Sequence, residues 1–459
     1  MATNGLVMDD AKLTATKWLQ CFLIKNNLNA LVSFSENRRV NLDVWRSLAM
    51  FLVYVFHCFF YARYTLSPTD FEYFYHNTPL LLKWVWAGDR GVDIFFVISG
   101  FLMGSLLFTE LQYTGAVALK RFYFRRLMRL MPVYWLAMLL YFLVGADNYH
   151  QLWANALFIN NMIPVVNSAM AWCWSLAVEE QFYLILPLLL YWLHAKRLLL
   201  WLLIIGLLSL FVRALVLNAQ PVVAVASSKS IMFDVAIFNQ FFDLLYNNLY
   251  TRFGELIVGV IGAYLRLYCA EKSRSFLRSY AGKVVQGIAW CLFFSFVFYG
   301  GFQFDAQSIF YMDSVLIKNT YLVVNRLLFA LSIVVIVLSV SLFQGEDGEK
   351  RCRLTVGRTS KRGVNFWGLF AKLSYSIYVF HPFVIFGFSQ WVYRLYTPEL
   401  AQSGVFYYGY MPLFVTITLL LSTIASVVIY LLIEKPFLNL REMNARGPTL
   451  AIMPATSAR

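Results

Sequence analysis

Arg46 and His57 stand eleven residues apart in an apolar segment that opens at Leu42. At about 100° per residue, eleven steps make roughly three helical turns, so a helix puts both side chains on one face about 16 Å apart along its axis. A cation then sits at one mouth of the segment and an imidazole lies deep within it. An ionisable group at such depth marks either a functional site or a hydrogen bond to a neighbouring helix. Imidazole titrates near working pH, which suits a general base.

Other polar groups interrupt apolar runs at suggestive spacings. Arg125 and Arg129 are four apart and Arg126 and Arg129 three apart, so one helix end presents two or three guanidiniums. Their planar forks suit phosphate, although cytoplasmic charge bias alone would also place arginines there. Glu179 and Glu180 are about 100° apart on a helix and meet different environments. Glu180 either orients His57, pairs with a buried arginine, or serves only to hold helices together. Arg252 and Glu255, three apart, and Arg326 could bind an acidic or hydroxyl-rich acceptor, though an intrahelical pair explains the first two equally well. His381 precedes Pro382, which frees a backbone carbonyl, so a hydrogen bond within a kinked helix is expected there before catalysis. Ser99-Gly100 fits close helix packing better than an acyl-serine nucleophile.

These residues need a membrane bundle to position them. The 459-residue chain is 60% hydrophobic and only 14% charged, with a mean hydropathy of +0.63, which excludes an ordinary soluble domain. Ten apolar segments can cross a bilayer as helices: roughly 42–61, 91–110, 126–145, 174–193, 198–217, 251–269, 284–301, 322–343, 369–390 and 411–433. The expected fold is an all-α polytopic membrane protein with about ten transmembrane helices in one bundle. The net charge of +14 does not imply nucleic acid, because Lys and Arg collect on alternate loops. Lys120, Arg121, Lys350, Arg351 and Arg353 fall on one side, against Arg63, Lys83, Arg90, Arg213, Lys229, Lys318 and Arg394 on the other. That bias predicts both termini in the cytoplasm.

Residues 1–40 carry Asp9 and Asp10 and lack a signal-peptide pattern; 12–34 read as an in-plane interfacial helix. Residues 344–368 read as a flexible basic loop against anionic lipid, and 438–459 as a cytoplasmic tail. The six cysteines show no metal spacing, and Cys58 and Cys173 both fall where a disulfide is chemically allowed.

Six segments appear in a set order: the Arg46-to-His57 segment, Gly91-Val-Asp-Ile-Phe-Phe, Arg125-Arg-Leu-Met-Arg129, Trp174-Ser-Leu-Ala-Val-Glu-Glu-Gln, Ser374-Tyr-Ser-Ile-Tyr-Val-Phe-His-Pro382 and Glu434-Lys-Pro-Phe437. In this the chain, from about 41 to 437, resembles the acyltransferase-3 family of membrane O-acyltransferases that modify bacterial envelope glycans. One departure is Val44, where a glycine after the acid is more common. The resemblance implies a cytoplasmic acyl-CoA donor, by default acetyl-CoA, with no tightly bound cofactor and no metal. It also implies a carbohydrate or lipid-linked glycan acceptor, with O-antigen or lipopolysaccharide sugars first, and a bacterial inner membrane. No fused extracytoplasmic hydrolase-like domain is expected.

On this reading His57 and Glu180 are the candidate catalytic residues, and Arg46, Arg125, Arg126 and Arg129 hold the donor. Asp93, Ser99, Trp174, Ser175, Arg252, Glu255, Arg326 and His381 bind the acceptor or support the site. Membrane lipids are the remaining partners; oligomeric state is left open by the sequence. The expected geometry is a thioester threading between guanidiniums along a tunnel that ends at His57. Competing readings are a proton-coupled secondary transporter and a non-catalytic glycan flippase or assembly partner.

Overall fold

The computed structural model describes residues 18–33, 40–192, 197–300, 302–306, 308, 311–354 and 366–444. Among them there is no strand, as a bilayer requires of anything but a closed barrel. The main helices are α1 (Ile24–Val32), α2 (Val40–Phe60), α3 (Arg90–Thr114), α4 (Leu119–Leu143), α5 (Trp174–Trp192), α6 (Leu198–Asn218) and α7 (Leu249–Tyr268). They continue as α8 (Ala270–Arg278), α9 (Tyr280–Tyr299), α10 (Val315–Leu354), α11 (Phe366–Tyr393), α12 (Met411–Ile429) and α13 (Lys435–Asn444). Nine helices among the described residues are long and apolar enough to span a membrane, and ten if α7 and α8, bent by 100° at their junction, count as one. All ten expected segments are therefore helical.

The bundle is centred on α3, which packs along α7 and against α2. Small residues permit the first of these crossings. A Cβ on Gly100 would collide with the Leu256 carbonyl oxygen, and one on Gly259 with the Val97 carbonyl oxygen. In lipid, where apolar burial gives no net drive, such backbone-to-backbone approach is what holds two helices together. α11 packs between α2 and α12, which brings His381 to the side of α2 that carries His57.

The amphipathic α1 docks by its polar residue. Asn27 is buried and donates to the carbonyls of Cys21 (3.2 Å) and Leu431 (3.0 Å), while Leu23, Ile24, Leu28 and Val32 stay exposed. Lys372 of α11 donates to the carbonyls of Ala30, Leu31 and Ser33 at 2.6–2.9 Å, capping the negative end of the helix. Of the helix expected over 12–34, residues 12–17 and 34 lie outside the described residues, as do residues 1–11.

One expectation needs correction. The basic stretch after 343 does not begin as a flexible loop, because α10 runs on without a break to Leu354. Residues 355–365 lie outside the described residues.

The α3–α7 crossing gives a direct test. Gly259→Val forces the two backbones apart and should cost about 1–3 kcal/mol or more by overpacking, read as a lower thermal transition and a smaller monodisperse fraction in detergent. Gly287→Ala on α9, where an added Cβ meets nothing within 4 Å, should leave both unchanged or slightly improved.

Candidate active site

Pro382 has no N–H to give the carbonyl of Tyr378, four residues back in α11. The ring of His381 takes over that acceptor: Nδ1 lies 2.7 Å from Tyr378 O and 3.1 Å from Ile377 O. Since a carbonyl can only accept, the proton of neutral His381 is on Nδ1, and its Nε2 carries a lone pair. That lone pair faces His57 Nδ1 at 2.9 Å. His57 therefore donates from Nδ1 and keeps its own lone pair on Nε2. The kink hydrogen bond expected of His381 is present, and it also fixes the tautomer of His57.

Two cavities flank this pair. The first, about 530 Å³, is lined by Arg46, Arg121, Arg125, Arg126, Arg129 and Arg441 against the carboxylates of Glu110, Glu179 and Glu442. Its mouth reaches the exposed Arg121 and Glu442, and its walls descend past Phe95, Ile98 and Leu102 to Ser175 and Tyr378. A surplus of guanidiniums above an apolar shaft is suited to an anionic head with a long thin tail. Arg126 is held in place by Glu180 Oε1 at 3.0 Å and lies 3.8 Å over the ring of Tyr183. Glu179 accepts from Ser99 Oγ (3.0 Å) and Tyr183 Oη (3.2 Å). Glu434, buried and bonded by Ser376 Oγ at 2.6 Å, lies within electrostatic reach of Arg129 and Arg46.

The second cavity, about 310 Å³, contains the edge of His57. Its walls are aromatic, with Phe56, Phe60, Tyr61, Trp86, Trp172, Trp174 and Tyr246 among them, and its polar groups include Asp89, Arg90, Asn325 and Arg326. That is the small end of the range typical of ligand sites, about 300–1,000 Å³. Flat aromatic faces with a few fixed polar groups suit a ring that is apolar on its faces and hydroxylated at its edge.

The model of the acyltransferase-3 family, described as an acyltransferase domain, matches residues 39–431. The chain belongs to this family. Among curated relatives, the peptidoglycan O-acetyltransferase OatA of Listeria monocytogenes is 31% identical over 154 residues, covering 28% of this chain and 25% of that protein. The O-acetyltransferase OatA of Staphylococcus aureus is 35% identical over 127 residues, covering 23% of this chain and 21% of that protein. The matched part thus spans a quarter or less of these relatives' length. No solved structure gives a significant match.

Within this family member the expected site residues fall in different places. Arg46, Arg125, Arg126, Arg129, Ser99 and Ser175 line the arginine cavity, whereas His57, Trp174 and Arg326 line the histidine cavity. Glu180 is not at His57; its partner is Arg126, the second of the alternatives open to it. Asp93, Arg252 and Glu255 lie behind the histidine cavity, fully buried, and do not face it. The expected tunnel is also corrected: Arg46 lines the arginine cavity and His57 the histidine cavity, and Tyr378 lines both. Cys58 and Cys173 are both buried free thiols.

The buried trio belongs to a charge network that builds the cavity wall. Asp93 receives Arg252 on Oδ1 and Arg326 on Oδ2 (2.7 Å), with Arg90 3.5 Å away. Arg326 also grips Asp89 at 2.7 Å, and Arg252 Nε lies 2.9 Å from Glu255. Arg213 spends its guanidinium on the carbonyls of Leu322, Val323, Leu245 and Thr251. Charges this deep are tolerable only when each is matched. At the cavity rim, outside the spans, the Val165 N–H donates to Asp243 at 2.9 Å, and burial pushes that carboxyl up to about 6.

Two outcomes follow from these contacts. Asp93→Ala leaves Arg252 and Arg326 without a shared counter-charge and should destabilise the bundle by about 3–5 kcal/mol, measured by thermal unfolding in detergent. Folded Asp243 holds its proton to a higher pH than in the unfolded chain, so its contribution to stability is greatest in acid and falls as the pH rises towards 6. Asp243→Asn should flatten that part of the curve of transition temperature against pH.

Proposed function

We propose that this protein is a membrane O-acetyltransferase that moves an acetyl group from acetyl-CoA to a hydroxyl of a bacterial envelope carbohydrate. The observation that carries the reading is the His57–His381 pair, which leaves a basic ring nitrogen at the border of an aromatic cavity while a guanidinium-rich cavity approaches from the other side. The donor's phosphates rest among Arg46, Arg125, Arg126 and Arg129, and its arm follows the apolar shaft towards Tyr378. The acceptor sugar rests in the histidine cavity against Trp172, Trp174 and Tyr246. On the positive-inside bias the arginine cavity and both termini belong to the cytoplasmic side of an inner membrane.

In the chemical step the acceptor oxygen attacks the thioester carbonyl carbon as His57 Nε2 takes the hydroxyl proton. The new C–O bond forms, the C–S bond breaks, and the departing thiolate recovers the proton from the imidazolium. His381 stays neutral: its Nε2 accepts the His57 Nδ1–H bond throughout and steadies the positive ring. Glu180 acts at one remove by fixing Arg126. Transfer is direct, since the Ser99 hydroxyl is already given to Glu179 and lies in the cavity away from His57.

Both relatives are named as O-acetyltransferases, and the Listeria protein as one for peptidoglycan, which supports an envelope glycan as acceptor. O-antigen or lipopolysaccharide sugars remain the first choice, with peptidoglycan the direct comparison. A carrier built on two matching broken helices fits less well, because the described residues contain a single sharply bent pair.

Purified protein in lipid nanodiscs, given acetyl-CoA with a labelled acetyl group, should label either lipopolysaccharide or peptidoglycan prepared from cells lacking the protein. His57→Ala should reduce labelling by about 10²–10⁴-fold, the usual contribution of a general base. Arg129→Ala should raise KM for acetyl-CoA about tenfold with a smaller effect on kcat. Undiminished labelling by His57→Ala would overturn the assignment. His381→Gln, whose amide can still accept the His57 bond, should lose less activity than His381→Phe, which cannot.

A further inference from the structure

The arginine cavity and the histidine cavity have one lining residue in common, Tyr378 of α11. Its hydroxyl donates to the Trp172 carbonyl at 2.6 Å, so the Ser175 Oγ at 2.6 Å must be the donor in their mutual bond. The Trp172 ring returns a hydrogen bond to the Val379 carbonyl at 3.2 Å, pinning the same two segments a second time. At the start of α5, Trp174 faces the histidine cavity and its neighbour Ser175 the arginine cavity. The wall between the compartments is therefore one phenol ring and a single turn of helix.

We propose that Tyr378 is a specificity-determining partition: latched to Trp172 and Ser175, it keeps water in the arginine cavity away from the basic nitrogen of His57, and it yields only when the donor's arm pushes through. The idea rests on the reading above, in which the two substrates enter from opposite cavities. A thioester beside an unprotected histidine base has an easy alternative acceptor, since water is far more abundant than any sugar. In that leak a water oxygen bonds to the acetyl carbon, the C–S bond breaks, His57 relays the proton, and the products are acetate and CoA thiol. The arginine cavity opens at exposed residues, so its water supply is the bulk solvent. Two hydrogen bonds between neutral groups are few enough to open and re-form within a catalytic cycle. The partition also has a chemical link to the base, because the backbone carbonyl of Tyr378 is the one that sets the His381 tautomer. Movement of the phenol leaves that carbonyl in place.

The test measures CoA thiol release with acetyl-CoA alone, and then the ratio of CoA released to acetyl groups transferred when deacetylated envelope glycan is added. Wild type should release little CoA without glycan and approach one CoA per acetyl group transferred. Tyr378→Ala should raise glycan-independent release about tenfold or more and push the ratio well above one. Tyr378→Phe and Ser175→Ala, which keep the ring and remove one or both latch bonds, should raise it a few-fold; they also stand in if the alanine variant does not fold. Adding His57→Ala to Tyr378→Ala should abolish the leak, which a loosened fold hydrolysing donor without the base would not do. If every Tyr378 and Ser175 variant that folds keeps the wild-type ratio and glycan-independent rate, the partition is refuted. A wild-type protein that transfers nothing and releases no CoA with either glycan would instead refute the function on which it rests.

Discussion

A proline-freed carbonyl sets the chemistry of the whole bundle. Tyr378 O has lost its helical donor to Pro382, and the imidazole of His381 is the group near enough to replace it. That single bond decides which nitrogen of His381 is protonated, therefore which nitrogen of His57 is protonated, and therefore which atom of His57 is left to take a proton. Without the kink, the His57 ring would have two tautomers of similar energy in an apolar setting. With it, the lone pair is left on Nε2 of a ring that lines the aromatic cavity. α2 and α11 have to pack in register for the two rings to meet, so the histidine pair is also a test of correct assembly.

Behind the aromatic cavity, the carboxylate of Asp93 performs a comparable service for packing. Two arginines from different helices converge on it, one of them reaching on to Asp89. Such a network gains little net stability over an apolar core of the same shape. What it supplies is uniqueness: α3, α7 and α10 can slide or rotate against lipid at small cost, but not without stranding a charge. The glycine-mediated approach of α3 and α7 then lets the network sit close to the axis of the bundle.

The parts of this arrangement that were legible in the sequence are those governed by local spacing. Apolar run lengths gave the spans, and three- and four-residue intervals put Arg125, Arg126 and Arg129 on a common face. The eleven-residue interval placed Arg46 and His57 on one side of α2. What spacing cannot convey is rotation of one helix relative to another. Glu180 faces α4 and not α2, so its partner is Arg126. The rotation of α5 and α11 puts Tyr378 across the line from Arg46 to His57, turning an expected tunnel into two compartments. One signal was available: counting four residues back from Pro382 identifies Tyr378 as the residue whose carbonyl is released. Arg441 and Asp89 had no such signal, because each comes to its cavity through the placement of a whole element.

Under the proposed function, the division into two cavities matches what has to cross the membrane. The donor's phosphates would lose several kcal/mol each on entering hydrocarbon, whereas an acetyl thioester on a slender arm loses little. Guanidiniums gathered at one end of the shaft satisfy the first constraint by holding the head where it is solvated. The helix rise from Arg46 to His57, about 16 Å, sets how far the arm must then reach. An acceptor confined to the aromatic side never needs to meet the phosphates, and the donor's head never needs to pass the midplane. Only the acetyl carbon has to be accessible from both sides. In this fold that place is the border occupied by Tyr378, one helical turn from His381, the residue that orients His57.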